Sequence, residues 1–286
     1  MKKILVPTDF SDCAHSAVDF AANLARKVSG KIYLLHVIED GDYDDVSTSG
    51  EWNSYVAAAT DAAVVPYMIG VLRETKVRME EVKNDPALAG LEVEDVIEVG
   101  LPGIKINYAA GKYDVDIIVM GTHGAKGFKE VFVGSTAEKV VEYANRPVIS
   151  IKEKMNENPS RIVFASDFVD EADKIFDTVK SFAAIYGATV HLLKVTTPDG
   201  FESVVQSRKR INRFRQLHHV SDSPFTIFND YKMETGILHF AHDINADLIA
   251  VGTHGRHGLS RLFNPSISEE LVNHSPCPVM TVNFKK

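Results

Sequence analysis

Apolar residues along the chain follow two patterns: short unbroken runs rich in Val, Ile and Leu, and longer stretches where they recur every three or four positions. The first suits strands buried on both faces of a parallel sheet, and the second suits amphipathic helices that cover it. The runs predict strands at 3–8, 31–37, 92–98, 116–120 and 147–152 in the first half, and at 161–166, 189–195, 224–229, 247–252 and 278–283 in the second. Between the first two strands, Ala14, Ala17, Val18, Ala21, Leu24, Ala25 and Val28 share one helical face, and Gly30 is placed to stop that helix. Strands that alternate with helices predict βαβ units.

The pattern occurs twice. Asp116-Ile117-Ile118-Val119-Met120-Gly121-Thr122-His123-Gly124 returns as Asp247-Leu248-Ile249-Ala250-Val251-Gly252-Thr253-His254-Gly255, each read as a buried strand entering a glycine turn. Asp9-Phe10 matches Asp167-Phe168 at an offset of 158, which falls to 131 past the middle of each half. The second half has therefore lost 27 residues between its second and fourth strands. The first half spends them on an acidic loop at 39–45 and a helical stretch around 51–83 that Pro66 is expected to kink. Two domains are expected, 1–153 and 160–286, joined by a polar linker carrying Asn156, Asn158 and Pro159.

The 286 residues, 45% apolar, suffice for two cores, and the net charge of −8 argues against a broad basic surface for nucleic acid. The start of the chain reads as a strand rather than a secretory leader, and the longest uncharged apolar stretch, 62–72, is too short to span a bilayer. Cys13 and Cys277 lie in different halves without metal or redox spacing. A cytoplasmic setting is the expectation.

In open parallel sheets, ligands bind beyond the carboxyl ends of the strands. Pro7-Thr8-Asp9, His36-Val37-Ile38 and the stretch from Gly121 to Ser135 converge there. Gly121, Gly124 and Gly127 allow a tight path with exposed amides. Gly134-Ser135-Thr136 then opens a helix whose free N–H groups and positive dipole end suit a phosphate, with Lys126 and Lys129 on the intervening loop. Asp9 also has the ordinary alternative of a helix N-cap, and His123 that of a surface histidine.

The string Gly, two residues, Gly, nine residues, Gly-Ser, with Val6-Pro7-Thr8-Asp9 near the start and Arg146-Pro147-Val148-Ile149 at the last strand, resembles the universal stress protein family in tandem form. The resemblance implies an α/β fold of two Rossmann-like, adenine nucleotide alpha hydrolase-like domains, each with a five-stranded parallel sheet flanked by helices. It further implies domains paired through their last strands as an intrachain pseudo-dimer, with a homodimer and an unidentified protein partner as further expectations. The implied ligand is ATP or another adenine nucleotide, with or without Mg2+. Carried over by motif, Asp9 and Val37 hold the adenine edge beside Pro7 and Thr8, with Met120 in the floor. Gly121, His123 and Gly124 lie along ribose and phosphates, and Gly134, Ser135 and Thr136 hold the phosphate tail.

The second half departs from this motif at Pro265, the counterpart of Gly134, and at Phe164-Ala165-Ser166-Asp167, the counterpart of Val6 to Asp9. Proline brings no N–H, and losing a charge-assisted bond costs about 1.5–3 kcal/mol, roughly ten- to a hundredfold in affinity. The second site is expected to bind ATP poorly or not at all. Eight of eleven histidines lie in this half, but their spacing favours scattered roles over a zinc cluster of His242, His274 and Cys277. The basic run 208–215 reads as a helix with a solvated face over an apolar stripe of Ile211, Phe214 and Leu217. Three functions remain open: a nucleotide-binding regulatory protein, a slow ATPase or adenylate-transferring enzyme, and an interaction module with a vestigial cradle. The second lacks a Ser-Gly-Gly loop after the first strand, where the chain reads Thr8-Asp9-Phe10-Ser11.

Overall fold

The computed structural model describes residues 1–39, 64–122, 134–153, 156, 158–169, 172–200, 202–254 and 265–284. The first half contains β1 (Lys3–Pro7), α1 (Asp12–Val28), β2 (Lys31–Ile38), α2 (Val64–Lys83), β3 (Glu92–Val99), α3 (Pro102–Lys112), β4 (Ile117–Gly121), α4 (Ser135–Tyr143) and β5 (Val148–Ile151). The second contains β6 (Arg161–Ala165), α5 (Ala172–Tyr186), β7 (Thr189–Thr196), α6 (Val204–Leu217), β8 (Phe225–Asn229), α7 (Met233–Asp243), β9 (Leu248–His254), α8 (Pro265–His274) and β10 (Val279–Phe284). All ten predicted strands are present. Pro66 lies near the first described residue of α2, and the part of the expected helix before Val64 lies outside the described residues.

The strands form one sheet in the order β3-β2-β1-β4-β5-β10-β9-β6-β7-β8. Every neighbouring pair is parallel except β5 and β10, which meet antiparallel with Val279 opposite Ser150 and Thr281 opposite Val148. The two five-stranded blocks are thus related by a pseudo-twofold at the seam, through their last strands. Alternation along the strands sorts the core. Ile4, Val6, Ile32, Leu34, Ile117 and Val119 face α1, and this core continues without a break into Ile162, Phe164 and Phe176 of the second half. On the opposite face each half keeps its own core, under α3 and α4 in one and under α7 and α8 in the other. Phe20 of α1 stacks on Phe182 and Tyr186 of α5, with ring centroids 6.3 and 6.4 Å apart, which closes the shared face.

The aspartate that opens each repeated segment has a structural role. Asp116 Oδ2 accepts the amides of Lys2 and Lys3 at 2.6 and 3.0 Å, and Asp247 Oδ2 accepts those of Ser160 and Arg161 at 2.8 and 2.9 Å. Each carboxylate fixes the start of the fourth strand of its half to the start of the first. One local expectation changes: the left-handed residue ending α1 is Ser29 (φ 48°), while Gly30 is needed because a Cβ there would lie 2.7 Å from the Lys2 carbonyl oxygen.

Candidate functional site

In the first half the chain runs outward from β1 to β2 and β3, then crosses back to β4 on the other side of β1. The carboxyl ends of β1 and β4 therefore flank the switch point, where connections diverge and leave a crevice. Pro7 ends β1 and Gly121 ends β4, so the two sequence stretches are brought to one place by topology.

The turn after β1 is tightly organised. Thr8 N–H donates to the Leu35 carbonyl (2.8 Å), and the Thr8 hydroxyl accepts from Phe10 N–H (3.0 Å). Phe10 adopts a left-handed conformation, φ 66°. Asp9 Oδ1 accepts from the Ser11 amide at 3.1 Å and from the Ser11 hydroxyl at 2.6 Å. Ser11, not Asp9, is the N-cap of α1, its hydroxyl accepting from Ala14 N–H at 3.2 Å. The ordinary alternative for Asp9 is thereby corrected: the left-handed turn at Phe10 starts the helix two residues later than the first capping side chain in sequence.

His36 and Arg78 join this turn, Arg78 from a helix whose pattern carries no mark of it. His36 Nδ1–H donates to the Thr8 carbonyl (2.8 Å), the imidazole lies 4.5 Å from the Phe10 ring centroid, and the Arg78 guanidinium lies 4.1 Å from the same ring. Burial holds the His36 imidazole below its ordinary pKa, and the Arg78 charge adds to that. On the opposite face of the sheet, half-buried Val37 and buried Met120 belong to the layer of Leu5, Leu35 and Ile118.

Gly121 packs against a helix. A Cβ there would lie 2.9 Å from the Cys13 carbonyl carbon and 3.0 Å from Ala14 N, so the strand end can approach α1 only without a side chain. From Thr122, whose N–H donates to the Ile151 carbonyl (3.0 Å), the chain passes into residues 123–133. His123 and Gly124, with Lys126, Gly127 and Lys129, lie outside the described residues.

The chain re-enters at Gly134, whose N–H donates to the Thr122 carbonyl at 2.8 Å. That bond returns the start of α4 to the end of β4. It also revises the role expected of Gly134: its N–H is engaged within the protein, so proline at this position removes an internal tie and not a ligand donor. Gly134 is the N-cap of α4 and makes no side-chain cap bond. Helix geometry leaves the amides of Ser135, Thr136 and Ala137 without an intrahelical acceptor, at the positive end of the helix dipole. Ser135 is exposed and Thr136 half-buried. Of the candidate residues, Pro7, Thr8, Asp9, Val37, Met120, Gly121, Gly134, Ser135 and Thr136 are described, and all lie at one end of the sheet.

The second half repeats the turn in different surroundings. Phe168 is again left-handed (φ 58°), and its N–H donates to the Ser166 hydroxyl (3.0 Å). Beyond that the two ends differ. Phe168 is buried against Phe164 and Phe214, with centroids 6.0 and 5.0 Å away. Lys194, at the position of His36, pairs with Glu202 at 2.7 Å, and Arg210 takes the other oxygen of Glu202 at 2.7 Å while donating to the Asp167 carbonyl at 3.1 Å. Burial alone would raise the Glu202 pKa, but Lys194, Ser207 and Arg210 more than offset it and hold the carboxyl below its ordinary value. β9 continues in register to His254 opposite Phe284, whereas β4 stops at Gly121, and α8 starts directly at Pro265. The strand expected to end at Gly252 runs on to His254, and Gly255 lies outside the described residues.

Among the described residues no group of three His, Cys, Asp or Glu side chains is placed to hold a metal. His274 pairs with Glu270 (3.2 Å), His242 lies 3.9 Å from Asp243, and the Cys277 thiol lies 3.6 Å from the Ser275 hydroxyl. In α6 the apolar stripe is Ile211 and Phe214 with buried Ser207, and Leu217 is exposed. A cavity of about 490 Å³ between the halves is lined by Lys152, Asp247 and Cys277, but Lys152 is bonded to the Asn273 carbonyl and Asp247 to backbone amides. No helix among the described residues is long and apolar enough to cross a membrane.

Comparison with known proteins gives a consistent relationship. The sequence model of the universal stress protein family matches residues 1–152 and 226–283. A universal stress protein of Methanocaldococcus jannaschii is 33% identical over 158 residues, which span 54% of this chain and 96% of its own. One of Synechocystis is 21% identical across 98% of this chain and 99% of its own. Among solved structures, a universal stress protein of Archaeoglobus fulgidus superimposes with a TM-score of 0.68 at 23% identity, covering 99% of this chain and 97% of that one, which shows the shared fold.

Proposed function

We propose that this chain, which belongs to the universal stress protein family, is an adenine-nucleotide-binding regulatory protein of the stress response that takes one ATP-class ligand at the first-half site. The observation that carries the reading is the return of the α4 start to the end of β4 through the Gly134–Thr122 bond. In this reading that return brings the amides of Ser135, Thr136 and Ala137 to the switch point, toward the turn of Pro7, Thr8 and Asp9. A polyphosphate is the anion class such a helix end favours, since unpaired amides and the dipole act on the same charge. In this reading the phosphate tail meets Ser135 and Thr136, and the base lies between Asp9 and Val37 over Met120. The reading assigns the path between them to Gly121 and to His123 and Gly124, which lie outside the described residues. Magnesium, if it accompanies the nucleotide, is a matter for titration with and without the ion.

The second half serves as the paired domain and not as an equal site. Its strand end carries buried Phe168 and the Lys194–Glu202–Arg210 network where the first half has Phe10 and His36, and its last helix begins with Pro265 in place of Gly134. The assignment is to binding and regulation, because the described residues gathered at the crevice supply amides, a carboxylate and an apolar floor.

Calorimetric titration with ATP, ADP and AMP tests this. One equivalent of ATP per chain is expected. Gly134→Pro, which copies the second half into the first, removes one internal hydrogen bond worth about 1 kcal/mol and is expected to weaken binding by roughly fivefold. Two equal sites per chain, or no heat of binding, would reject the reading. Adenosine triphosphate release from the protein as purified, read after denaturation, gives an independent arm.

A further inference from the structure

Each half reaches across the β5–β10 seam with a side chain that donates to a helix carbonyl of the other. Asn283, near the end of β10, donates Nδ2–H to the carbonyl of Glu142 in the last turn of α4, at 2.9 Å. Lys152, just beyond β5, donates Nζ–H to the carbonyl of Asn273 in the last turn of α8. Both donors and both acceptors are 131 residues apart, the offset of the repeat. The same tie is therefore made twice about the pseudo-twofold, by an amide in one direction and an ammonium in the other.

The place of these ties on the helices matters. The last four carbonyls of a helix lack intrahelical partners, and Glu142 and Asn273 are both among them. α4 has nine residues, fewer than an isolated helix needs to persist in water. It is held by its buried face of Ala137, Val140 and Val141 and by a bond at each end. The bond at its start, Gly134 to Thr122, comes from its own half. The bond at its finish comes from the other half.

We infer that Asn283 is a positioning residue for the ligand site of the first half: through the Glu142 carbonyl it keeps α4 wound, and so keeps the Ser135, Thr136 and Ala137 amides aligned at the crevice. The inference rests on the nucleotide reading above for the ligand and on the tie alone for the helix. It gives the second half a part in binding although its own helix start carries Pro265. The tie acts on the phosphate end of the ligand, since the base-end residues stand on β2, on β4 and in the turn after β1, and none of them on α4.

The test uses the full chain. Asn283→Leu removes the donor, and Asn283→Asp removes it with little change of shape in case leucine prevents folding. Asn283→Lys restores a donor by copying the chemistry found at Lys152. In ligand-free protein, hydrogen exchange of the peptide covering 137–144 is expected to accelerate about two- to tenfold in the donor-free variants. Their ATP affinity is expected to fall by about the same factor while adenosine affinity stays at the wild-type value, and Asn283→Lys is expected to recover both. Unchanged exchange overturns the inference. So does an equal loss for ATP and adenosine, or a folded Asn283→Lys that recovers neither. A wild type that binds no ATP rejects the nucleotide reading, and the exchange arm then still decides the tie.

Discussion

Gly121 and Gly134 are equivalent as letters of one motif, yet the structure gives them different work, and a pair of alanine substitutions separates them. At Gly121 a methyl group would lie 2.9 Å from the Cys13 carbonyl carbon and 3.0 Å from both Ala14 N and Cys13 O, against an ordinary carbon–carbon contact of about 3.5 Å. The obstacle is backbone, and it cannot yield easily. Ser11 caps the first turn of α1, the Cys13 thiol donates to the Ile151 carbonyl at 3.0 Å, and Ala14 and Ala17 are buried against the sheet. Moving strand and helix apart by about half an ångström is an overpacking change, which costs about 1–3 kcal/mol. For a chain of this size that corresponds to a fall in Tm of roughly 2–12 °C. At Gly134 the nearest atom to an added methyl is the Thr122 carbonyl oxygen at 3.4 Å, and φ is −61°, so Gly134→Ala loses only the difference in capping preference, up to about 1 kcal/mol. Differential scanning calorimetry on both variants provides the comparison. A Gly121→Ala protein that melts with the wild type, or a Gly134→Ala protein that falls as far as Gly121→Ala, would refute the packing argument.

Asp116 and Asp247 have folded-state pKa values below the ordinary carboxylate value, because backbone amides outweigh the opposing effect of burial. The unfolded chain then binds more protons in acid, so their contribution is complete above the ordinary carboxylate range and is lost as pH falls from about 5 downward. An Asp116→Asn, Asp247→Asn double variant should lose stability at neutral pH and show a shallower decline in acid, read from urea midpoints. An equally steep decline would contradict the assignment. Phe20→Ala should cost about 3–5 kcal/mol and weaken the shared face enough to separate the melting of the halves into two transitions. A single transition at the wild-type temperature would show that the α1–α5 contact does not couple them. In the half-buried network of the second half, Glu202→Gln leaves Lys194 and Arg210 without their shared carboxylate and should cost about 1.5–3 kcal/mol. Lys194→Met should cost less, because Arg210 and Ser207 still satisfy Glu202. The reverse order in urea denaturation would sink that account.

The sequence by itself determined the strands, the helices around them and the duplication. A parallel strand buried on both faces must be an apolar run, and the two offsets of the repeat locate the shortened connection without coordinates. The pairing of the halves through their last strands was legible only through the family resemblance. Tertiary structure decided which of several capable residues does each job. Thr8, Asp9 and Ser11 can all cap a helix, and the left-handed turn at Phe10 chooses Ser11. Gly134 was expected to donate to a ligand, and the return of the chain to Thr122 engages its N–H. β9 runs on to His254 because β10 offers it a partner that far, which no local signal in Gly252-Thr253-His254 reveals. Arg78 beside Phe10, Lys194 with Glu202, and Asn283 on the Glu142 carbonyl join residues far apart in the chain. Propensity and period report on neighbours in sequence, whereas these contacts exist only once the sheet order has brought distant segments together.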